Sequence, residues 1–216
     1  YIGDGSEWRE AIRDLLQAER FELVIPCDER TLLPLHRHRE EFTALSRLAI
    51  PDDLALEVFF DKHKTRELAR SLGVPVPAGR LIAEGDTASG LMAEAGLPMA
   101  LKPAQSYVAQ RLYSRQRVEI VDTPEALAKV LAHISYGSHF FEAFFAGQGV
   151  GVSVLANRGK ILQGFEHHRV HEAGGSSYYR VSAAQTPSLA DAVSKMIAAV
   201  NYSGIAMFEF RVNHND

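Results

Sequence analysis

Two lysines stand where this chain of 216 residues could bind an anion. Lys62 falls in the first turn of a predicted helix, where the positive end of the helix dipole disfavours a cation. A bound anion nearby would remove that cost. Lys102 lies near the end of an apolar strand at 97–103. Either its aliphatic stem packs on the strand and its ammonium reaches solvent, or the ammonium supplies a point charge for phosphate. The lysines therefore allow a phosphate site.

The segment 138–151 combines an aromatic strand with a single carboxylate, Glu142. Four phenylalanines surround Glu142 and three alternate glycines follow, namely Phe140, Phe141, Phe144 and Phe145, then Gly147, Gly149 and Gly151. Such a strand is expected to be buried on both faces, and its carboxylate then needs partners. Backbone groups at the strand end could read a purine edge while phenylalanine rings pack on the base. Taken alone, the segment favours a core strand whose Glu142 forms a salt bridge.

A second carboxylate, Glu209, lies inside the apolar strand predicted at 204–212, and Arg211 lies on the same face. This position makes Glu209 a candidate functional group, although an ion pair with Arg211 or a neighbour explains it equally well. A guanidinium matches a carboxylate in a planar, bidentate way. Arg169, Arg180 and Arg211 are therefore the candidates for binding a substrate carboxylate.

Other chemistries have weaker support. The histidines at 36–38 fit an exposed helical face, and strand alternation places His168 opposite His167 and His171, which disfavours a metal site. The glycines at 147–151 do not form G-x-G-x-x-G before a helix, so a dinucleotide fold is not expected. No Ser-His-Asp or Cys-His set is convincing.

The composition is that of an ordinary globular protein, with 46% hydrophobic and 23% charged residues. The net charge is −4 and the basic residues are dispersed along the chain, so the sequence does not predict a basic surface that would bind nucleic acid. No apolar run approaches the length of a membrane span, and Cys27 has no second cysteine to pair with. These features predict a cytoplasmic protein that binds neither nucleic acid nor membrane.

Hydrophobic periodicity and turn residues predict mainly alternating helices and strands. Helices are expected at 6–20, from about 28 to 45, at 61–72, at 86–96, near 122–131 and at 187–200. Strands are expected at 21–26, 97–103, 117–121, 138–145, 150–155, 160–170 and 204–212, with a hairpin turn at 157–159 and a loop at 171–181. Both ends of the chain are expected to be cut.

The ordered series of these segments resembles the ATP-grasp superfamily over roughly residues 21–216. The series is a D-K helix, L-G-V-P-V-P, a strand ending in L-K-P, E-x-F-F with glycines, a hairpin and F-E-F. Its order and spacing are similar to those of biotin carboxylase and D-alanine:D-alanine ligase. The segments G-Q-G-V-G-V-S-V-L, F-E-H-H-R-V-H-E and A-M-F-E-F-R most resemble predicted carboxylate–amine ligases, to which D-aspartate ligases are related.

The resemblance implies an α/β (α+β) ATP-grasp fold, with two lobes around a nucleotide cleft. The implied domains are part of a Rossmann-like layer at 1–60, a small lobe at 61–137 and a large lobe at 138–216 that is incomplete at its C-terminus. The resemblance also allows a homodimer. The 216-residue chain alone is expected to be inactive.

The resemblance also implies ATP and Mg²⁺ as cofactors and assigns roles to residues. Lys62 and Lys102 match lysines that contact phosphate, and Glu209 matches the first of two acidic magnesium ligands. Lys102 and Arg211 are the implied catalytic residues. The adenine would be read by Glu142, Ala143, Phe144 and Phe145, and the substrate would be bound by Arg169, Arg180, Ser176 and Ser177.

The implied reaction needs no protein nucleophile. A carboxylate substrate attacks the γ-phosphate of ATP to give an acylphosphate, and an amine then displaces phosphate. Mg²⁺ takes oxygen ligands and bridges phosphates, and lysines offset the developing charge. Positioning and electrostatics therefore supply the catalysis.

The chain departs from the family pattern at three places. The usual glycine-rich loop after L-K-P is missing, so side chains of Ser106, Tyr107 or Arg111 are candidates to cover the nucleotide. Gly149 stands where relatives often hold the ribose with an acidic residue, and Gln148 is its candidate substitute. A second metal carboxylate, expected on a strand after Asp216, is absent.

Two alternatives to the ligase remain open at this point. One is a carboxylase or an enzyme of the carbamoyl-phosphate type on the same fold. The other is a nucleotide-binding domain that has lost turnover.

Overall fold

A computed structural model describes residues 6–107, 112, 114–173 and 176–213. The chain forms two compact units, one of Tyr1–Pro51 with Ser106–Gln116 and one of Asp52–Gln105 with Arg117–Asp216. Arg111, Gly174 and Gly175 lie outside the described residues. In the part of the chain that is described, no helix has both the length and the apolar character required to cross a bilayer.

The first unit is a small α/β segment. Its elements are α1 Ser6–Glu19, β1 Leu23–Val24, α2 Glu29–Arg37, α3 Arg39–Thr43 and β2 Arg47–Leu48. The strands β1 and β2 pair in parallel, and Leu16, Leu35 and Phe42 form the core. The predicted order of helix, strand and helix is confirmed. The long helix predicted to reach residue 45 is instead two short ones, because the backbone of His38 leaves the helical conformation.

The second unit contains two antiparallel sheets of four strands, ordered β3-β6-β4-β5 in sheet 1 and β10-β7-β8-β9 in sheet 2. Its helices are α4 Asp53–Phe59, α5 Lys62–Ser71, α6 Ala88–Ala95, α7 Pro124–Leu131 and α8 Pro187–Ala199. Sheet 1 contains β3 Gly79–Leu81, β4 Met99–Pro103, β5 Glu119–Val121 and β6 His139–Ala143. Sheet 2 contains β7 Gln148–Asn157, β8 Lys160–Ala173, β9 Ser176–Ala183 and β10 Gly204–Val212.

Each sheet has its own core. The helices α6 and α7 pack on sheet 1 around Leu91, Leu127 and Phe141, and all three side chains are fully buried. Val152 and Val154 of β7 pack with Val193 and Ile197 of α8 in the core of sheet 2. Residues 144–147 join the last strand of sheet 1 to the first strand of sheet 2 and are called the hinge here.

The structure groups the aromatic strand β6 with sheet 1. It pairs with β3 and β4, whereas the sequence analysis placed residues 138–143 in the large lobe. The predicted lobe boundaries at 60 and 137 stay predictions, and the strand pairing moves the junction of the two sheets to the hinge. The sequence pattern could not show which sheet contains β6, because the strand would be equally apolar in either sheet.

The prediction of a loop at 171–181 is wrong. The strand β8 runs on to Ala173, and Ser176–Ala183 pairs with it as β9. Both segments are largely exposed and include two register shifts, so neither shows the alternation that marks a half-buried strand. Pairing across the hairpin, rather than side-chain burial, makes this segment extended.

Local signals positioned α5 and the β7–β8 hairpin correctly. Asp61 accepts hydrogen bonds from the amides of His63 and Lys64, both at 2.9 Å, and so caps α5 as predicted. The turn between β7 and β8 has positive φ at Arg158 (48°) and Gly159 (75°), as a two-residue type I′ hairpin requires. The amides of this turn donate to Ser203 Oγ at 2.8 Å and to the carbonyl of Tyr202 at 3.0 Å.

Glu166 fixes the start of α8 from the neighbouring strand β8. Its side chain is 1% exposed and accepts hydrogen bonds from the Thr186 amide at 2.7 Å and the Thr186 hydroxyl at 2.8 Å. Burial raises the pKa of this carboxyl, but the two bonds from Thr186 and the contact with His168 outweigh burial and hold the pKa below 4.5. The ionised carboxylate is therefore part of the folded structure.

Replacing Glu166 by glutamine is expected to lower the free energy of unfolding at neutral pH by about 2 kcal/mol, because the charge-assisted bonds to Thr186 are lost. A depressed pKa stabilises the fold above the unfolded pKa, and this stabilisation is lost as the pH falls below 4.5 through the folded pKa. Urea unfolding of E166Q should therefore show a shallower acid decline than the wild type. The exposed Glu119 provides the control E119Q, and parallel pH curves for E166Q and the wild type would contradict the assignment.

Candidate active site

Lys102 and Glu142 form an ion pair across the two central strands of sheet 1. The Lys102 ammonium donates to Glu142 Oε1, and the second carboxylate oxygen lies 3.7 Å from Arg66 Nε. Glu142 retains 13% of its side-chain exposure, Lys102 retains 28% and Arg66 retains 5%. The salt bridge expected for Glu142 is therefore present, and it involves one of the two predicted phosphate lysines.

The second predicted lysine lies at the end of the same strand. The Lys62 amide donates to the carbonyl of Ala104 at 2.7 Å, and its ammonium reaches the carbonyl of Pro103 at 3.5 Å. The start of α5 is thus attached to the residues that directly follow Lys102. The fold brings both lysines to the end of β4.

The predicted aromatic enclosure of Glu142 is wrong in part. Phe140 and Phe141 are buried, but Phe144 and Phe145 follow the strand and are 44% and 41% exposed. The strand ends at Ala143, so the last two rings leave the sheet and no longer alternate between its faces. Exposed rings at the hinge are available to pack against a planar ligand.

Two of the backbone donors predicted to read a base are already used by the fold. The Ala143 amide donates to the carbonyl of Ala78 at 2.8 Å, and the Phe144 amide donates to that of Pro98 at 3.1 Å. Among the described residues, the Phe145 amide donates to no protein acceptor. The Ala146 amide likewise donates to no acceptor in the described part of the chain, so any reading of a base edge by hinge donors would depend on Phe145 or Ala146.

Four charged side chains form a network on one face of sheet 2. Arg169 on β8 bonds both Glu209 on β10 and Glu172, the latter at 3.1 Å. Arg211 on β10 lies 2.8 Å from the other oxygen of Glu172 and also donates to the carbonyl of Gly147 at 3.1 Å. The network therefore reaches the hinge.

Glu209 is not buried as the sequence predicted. Alternate residues of β10 face solvent, and the side chain of Glu209 is 48% exposed. Its partner is Arg169 on β8 and not Arg211 on its own strand. The side chains of Glu209 and Arg169 meet across β7, which lies between β10 and β8. The carboxylate is accessible, as a ligand for a cation must be.

Glycines on β7 make room for these long side chains. The register places Gly151 between Glu209 and His167, and a methyl group on Gly151 would collide with the imidazole ring. A methyl group on Gly149 would lie 2.6 Å from Glu172 Oε1. Gly149 and Gly151 thus lie within β7, whereas Gly147 lies in the hinge, and the absence of a side chain at Gly149 leaves room for the network. Gln148, the candidate ribose ligand, points to the opposite face by alternation.

The electrostatics of this face favour an ionised Glu172 and a neutral His167. Burial raises the pKa of Glu172, but the Arg211 bond and charge, with those of Arg169, outweigh burial and hold it below its usual value. Burial, then the charges of Arg180 and Arg169, lower the pKa of His167. The imidazole Nε2 is buried and has no hydrogen-bond partner within the described residues.

The remaining predicted residues are dispersed. Arg180 is exposed and lies in register with Arg169 across the β8–β9 pair. Ser177 donates to the carbonyl of Tyr179 at 3.1 Å, and the side chain of Ser176 is not among those described. Ser106 and Tyr107 belong to the first unit, where Tyr107 lies 6.0 Å below the guanidinium of Arg30. The roles predicted for these residues stay predictions.

Sequence reasoning missed Arg66 and Glu172. Arg66 lies on the D-K helix and Glu172 ends the segment F-E-H-H-R-V-H-E, but neither position suggested a role, and both became visible only through their partners in space. Among the described residues, no three metal-binding side chains lie close enough together to hold a metal ion alone. A depression of about 410 Å³ elsewhere in this unit contains none of the predicted site residues and is lined by Glu119, Lys129, Val130, His133, Ile134 and His139.

Comparison with known proteins finds partial similarity to one curated enzyme and similarity in fold to several solved structures. No family model matches the chain. A D-alanine--D-alanine ligase of Desulforudis audaxviator (strain MP104C) is 30% identical over 109 residues, which is 49% of this chain and 34% of that enzyme. The chain thus spans about a third of the length of that curated relative.

Solved structures match nearly the whole chain. The biotin carboxylase domain of Hydrogenobacter thermophilus 2-oxoglutarate carboxylase, a dimer in complex with MgADP, ADP and bicarbonate, has a TM-score of 0.74 at 18% identity, covering 95% of this chain and 48% of that one. N5-carboxyaminoimidazole ribonucleotide synthetase from Thermus thermophilus has a TM-score of 0.68 at 21% identity, with coverages of 98% and 56%. An L-amino acid ligase from Bacillus licheniformis has a TM-score of 0.62 at 18% identity, with coverages of 95% and 50%. What the chain shares with these three is a fold.

Proposed function

Because this chain has the ATP-grasp fold, we propose that it forms the nucleotide-binding core of an ATP-dependent carboxylate–amine ligase. The observation that carries the proposal is the arrangement of charge around the hinge. Two lysines, Lys62 and Lys102, lie at the end of β4. The accessible carboxylate of Glu209 belongs to a charge network that reaches the hinge through the bond from Arg211 to Gly147. Phosphates need the cations, and a divalent metal needs the carboxylate.

The nucleotide would lie with its base at the hinge. The Phe145 amide supplies a donor to the base edge, and the exposed rings of Phe144 and Phe145 supply apolar contact. The phosphates would meet the ammonium groups of Lys62 and Lys102. Lys102 would leave part of its interaction with Glu142 to bind phosphate, which costs little because the carboxylate keeps Arg66 beside it.

The residues present fit a magnesium ion. Glu209 has an exposed carboxylate. Glu172 has a second carboxylate, and both pair with Arg169. Mg²⁺ in phosphate-transfer sites typically uses one or two carboxylates together with phosphate oxygens and water. When bound, the ion would supply charge neutralisation between the phosphates. With Glu209 holding the ion, Arg169 would be available to the substrate carboxylate.

The substrate side of the proposal rests on arginines and on the relatives. Arg169, Arg180 and Arg211 lie on β8, β9 and β10, and a guanidinium binds a carboxylate through two parallel bonds. The curated relative is named for joining two D-alanines, and one structural neighbour is named an L-amino acid ligase. We therefore propose an amino acid or similar small molecule as carboxylate donor, with an amine as acceptor. A homodimer and a cytoplasmic location stay predictions.

The test is calorimetric titration of this chain with ATP, with and without Mg²⁺. ADP release with a panel of carboxylates and amines is then measured on a longer chain that contains these 216 residues. ATP should bind, and Mg²⁺ should tighten binding by about tenfold, as expected for one added metal bridge. In E209Q the Mg²⁺ effect should disappear while binding in EDTA persists, and E119Q should behave as the wild type. Absence of ATP binding would refute the proposal. Binding without ADP release across the whole panel would instead favour a nucleotide-binding domain, and release with bicarbonate alone would favour the carboxylase alternative.

A further inference from the structure

We propose that Arg66 is a positioning residue that holds the Glu142 carboxylate and thereby leaves the Lys102 ammonium free to bind nucleotide phosphate. The inference rests on the proposed function, because it concerns how that site handles ATP. It names a residue outside the sequence motifs. Arg66 lies one turn after Lys62 on α5, so the same helix would carry one phosphate lysine and control the other.

The surroundings of Arg66 are unusual for a purely structural arginine. Its side chain is 5% exposed, and its terminal nitrogens donate to the carbonyl of Pro77 and, at 3.3 Å, to Glu67. Its Nε is fully buried and has no hydrogen-bond partner within the described residues, and it lies 3.7 Å from Glu142 Oε2. A buried donor without a partner is costly, so its direction toward Glu142 calls for a reason.

Charge balance supplies that reason. Glu142 directs one oxygen to Lys102 and the other to Arg66, so the three side chains together carry a net charge of about +1. Without Arg66 the carboxylate would turn both oxygens to Lys102 and neutralise it. The lysine would then meet a polyphosphate with little net charge. Arg66 therefore acts through Glu142 and does not itself have to touch the nucleotide.

The electrostatic surroundings are consistent with this division of charge. Burial lowers the pKa of Arg66, the charge of Arg70 lowers it further, and the charge of Glu142 opposes both. A guanidinium keeps its proton under these conditions, whereas a lysine ammonium in the same place would lose it more readily. Arginine also bonds the Pro77 carbonyl while keeping Nε toward Glu142, which a single ammonium cannot do.

The test compares the binding of ATP and of adenosine to R66M, R66Q and R66K by calorimetry. R66M should lose about tenfold in ATP affinity, as expected when one member of a charge network is removed, while adenosine affinity stays unchanged. R66K should recover only part of the loss, because a buried ammonium loses its proton more readily and cannot bond the Pro77 carbonyl and face Glu142 at once. If R66M does not fold, R66Q takes its place, since its amide can still donate to the Pro77 carbonyl.

The matched control is K64M on the same helix. Lys64 is 47% exposed and pairs with Glu57 at 2.7 Å, away from Glu142, and its loss should change neither affinity. Equal losses of ATP and adenosine affinity in the Arg66 variants would show a structural role and overturn the inference. Unchanged ATP affinity in R66M would also overturn it. Failure of the wild type to bind ATP would count against the proposed function instead, so the two failures are distinguishable.

Discussion

Replacing Lys102 by methionine is expected to reduce the affinity of this chain for ATP by about 100-fold, while the affinity for adenosine stays within a factor of about two. Methionine keeps much of the length and apolar character of the lysine stem on β4 but removes the ammonium that faces Glu142. The phosphates lose one of two cations, whereas the base still meets the hinge. Titration calorimetry with both ligands measures the difference directly.

Two comparisons make this result specific. K160M removes an exposed lysine at the start of β8, outside the described charge clusters, and should bind ATP as the wild type does. K102A should weaken ATP binding more than R169A, since Lys102 faces phosphate and Arg169 is assigned to the other substrate. If R169A has the larger effect, the phosphates lie on sheet 2 and the assignment of the pocket is wrong.

Replacing Gly79 by alanine is expected to cost about 3 kcal/mol of unfolding free energy or more. Gly79 has φ of 149° and stands opposite Glu142 in the β3–β6 pair. A methyl group there would overlap the carbonyl oxygen of Phe141 and lie 2.7 Å from the Cα of Glu142. Both contacts are with backbone, which cannot rotate away, so β3 would have to separate from β6.

Gly85 provides the matched control, because it has φ of 89° and no atom within 4 Å of an added methyl group. G85A carries only the backbone strain of a positive φ, about 1 kcal/mol. Urea unfolding of G79A, G85A and the wild type separates the collision from the strain. Equal losses in the two variants would mean that β3 and β6 are not as close as the structure has them. G79A should also weaken adenosine binding, since β3 pairs with β6, the strand that leads into the hinge.

Sequence alone predicted the elements whose signals are local. The helix α5 has an aspartate cap at its start and Gly73 just beyond its end, and the β7–β8 turn has Gly159 at a position that requires positive φ. Such residues act on their immediate neighbours, so their meaning does not depend on the rest of the fold. The order of several such elements was enough to indicate the superfamily.

Elements that depend on distant partners were beyond reach. The strand β9 becomes extended because β8 pairs with it, and its own residues give no alternation. The assignment of β6 to sheet 1 depends on β3 and β4, from which it is separated by tens of residues. Strand pairing is a non-local choice that side-chain periodicity does not encode.

The candidate site shows the same division at the level of single residues. Lys62 and Lys102 could be recognised from their position beside helix and strand ends, and the structure brings both to the end of β4. Arg66 and Glu172 could not be recognised, because the sequence around them gives no reason to choose them over the other charged residues of α5 and β8. Their partners, Glu142 and Arg211, lie far away in sequence and meet them only after folding.

The hairpin turn at Arg158 and Gly159 also bears on proteolysis. An exposed arginine at a loop tip is ordinarily a preferred trypsin site, because the tip can open locally and enter the protease. Here both turn amides are held by Tyr202 and Ser203, so the tip can open only if the link between α8 and β10 opens too. Cleavage after Arg158 therefore requires a larger opening of the second unit, and this bond should outlast the other exposed arginine bonds in a tryptic digest.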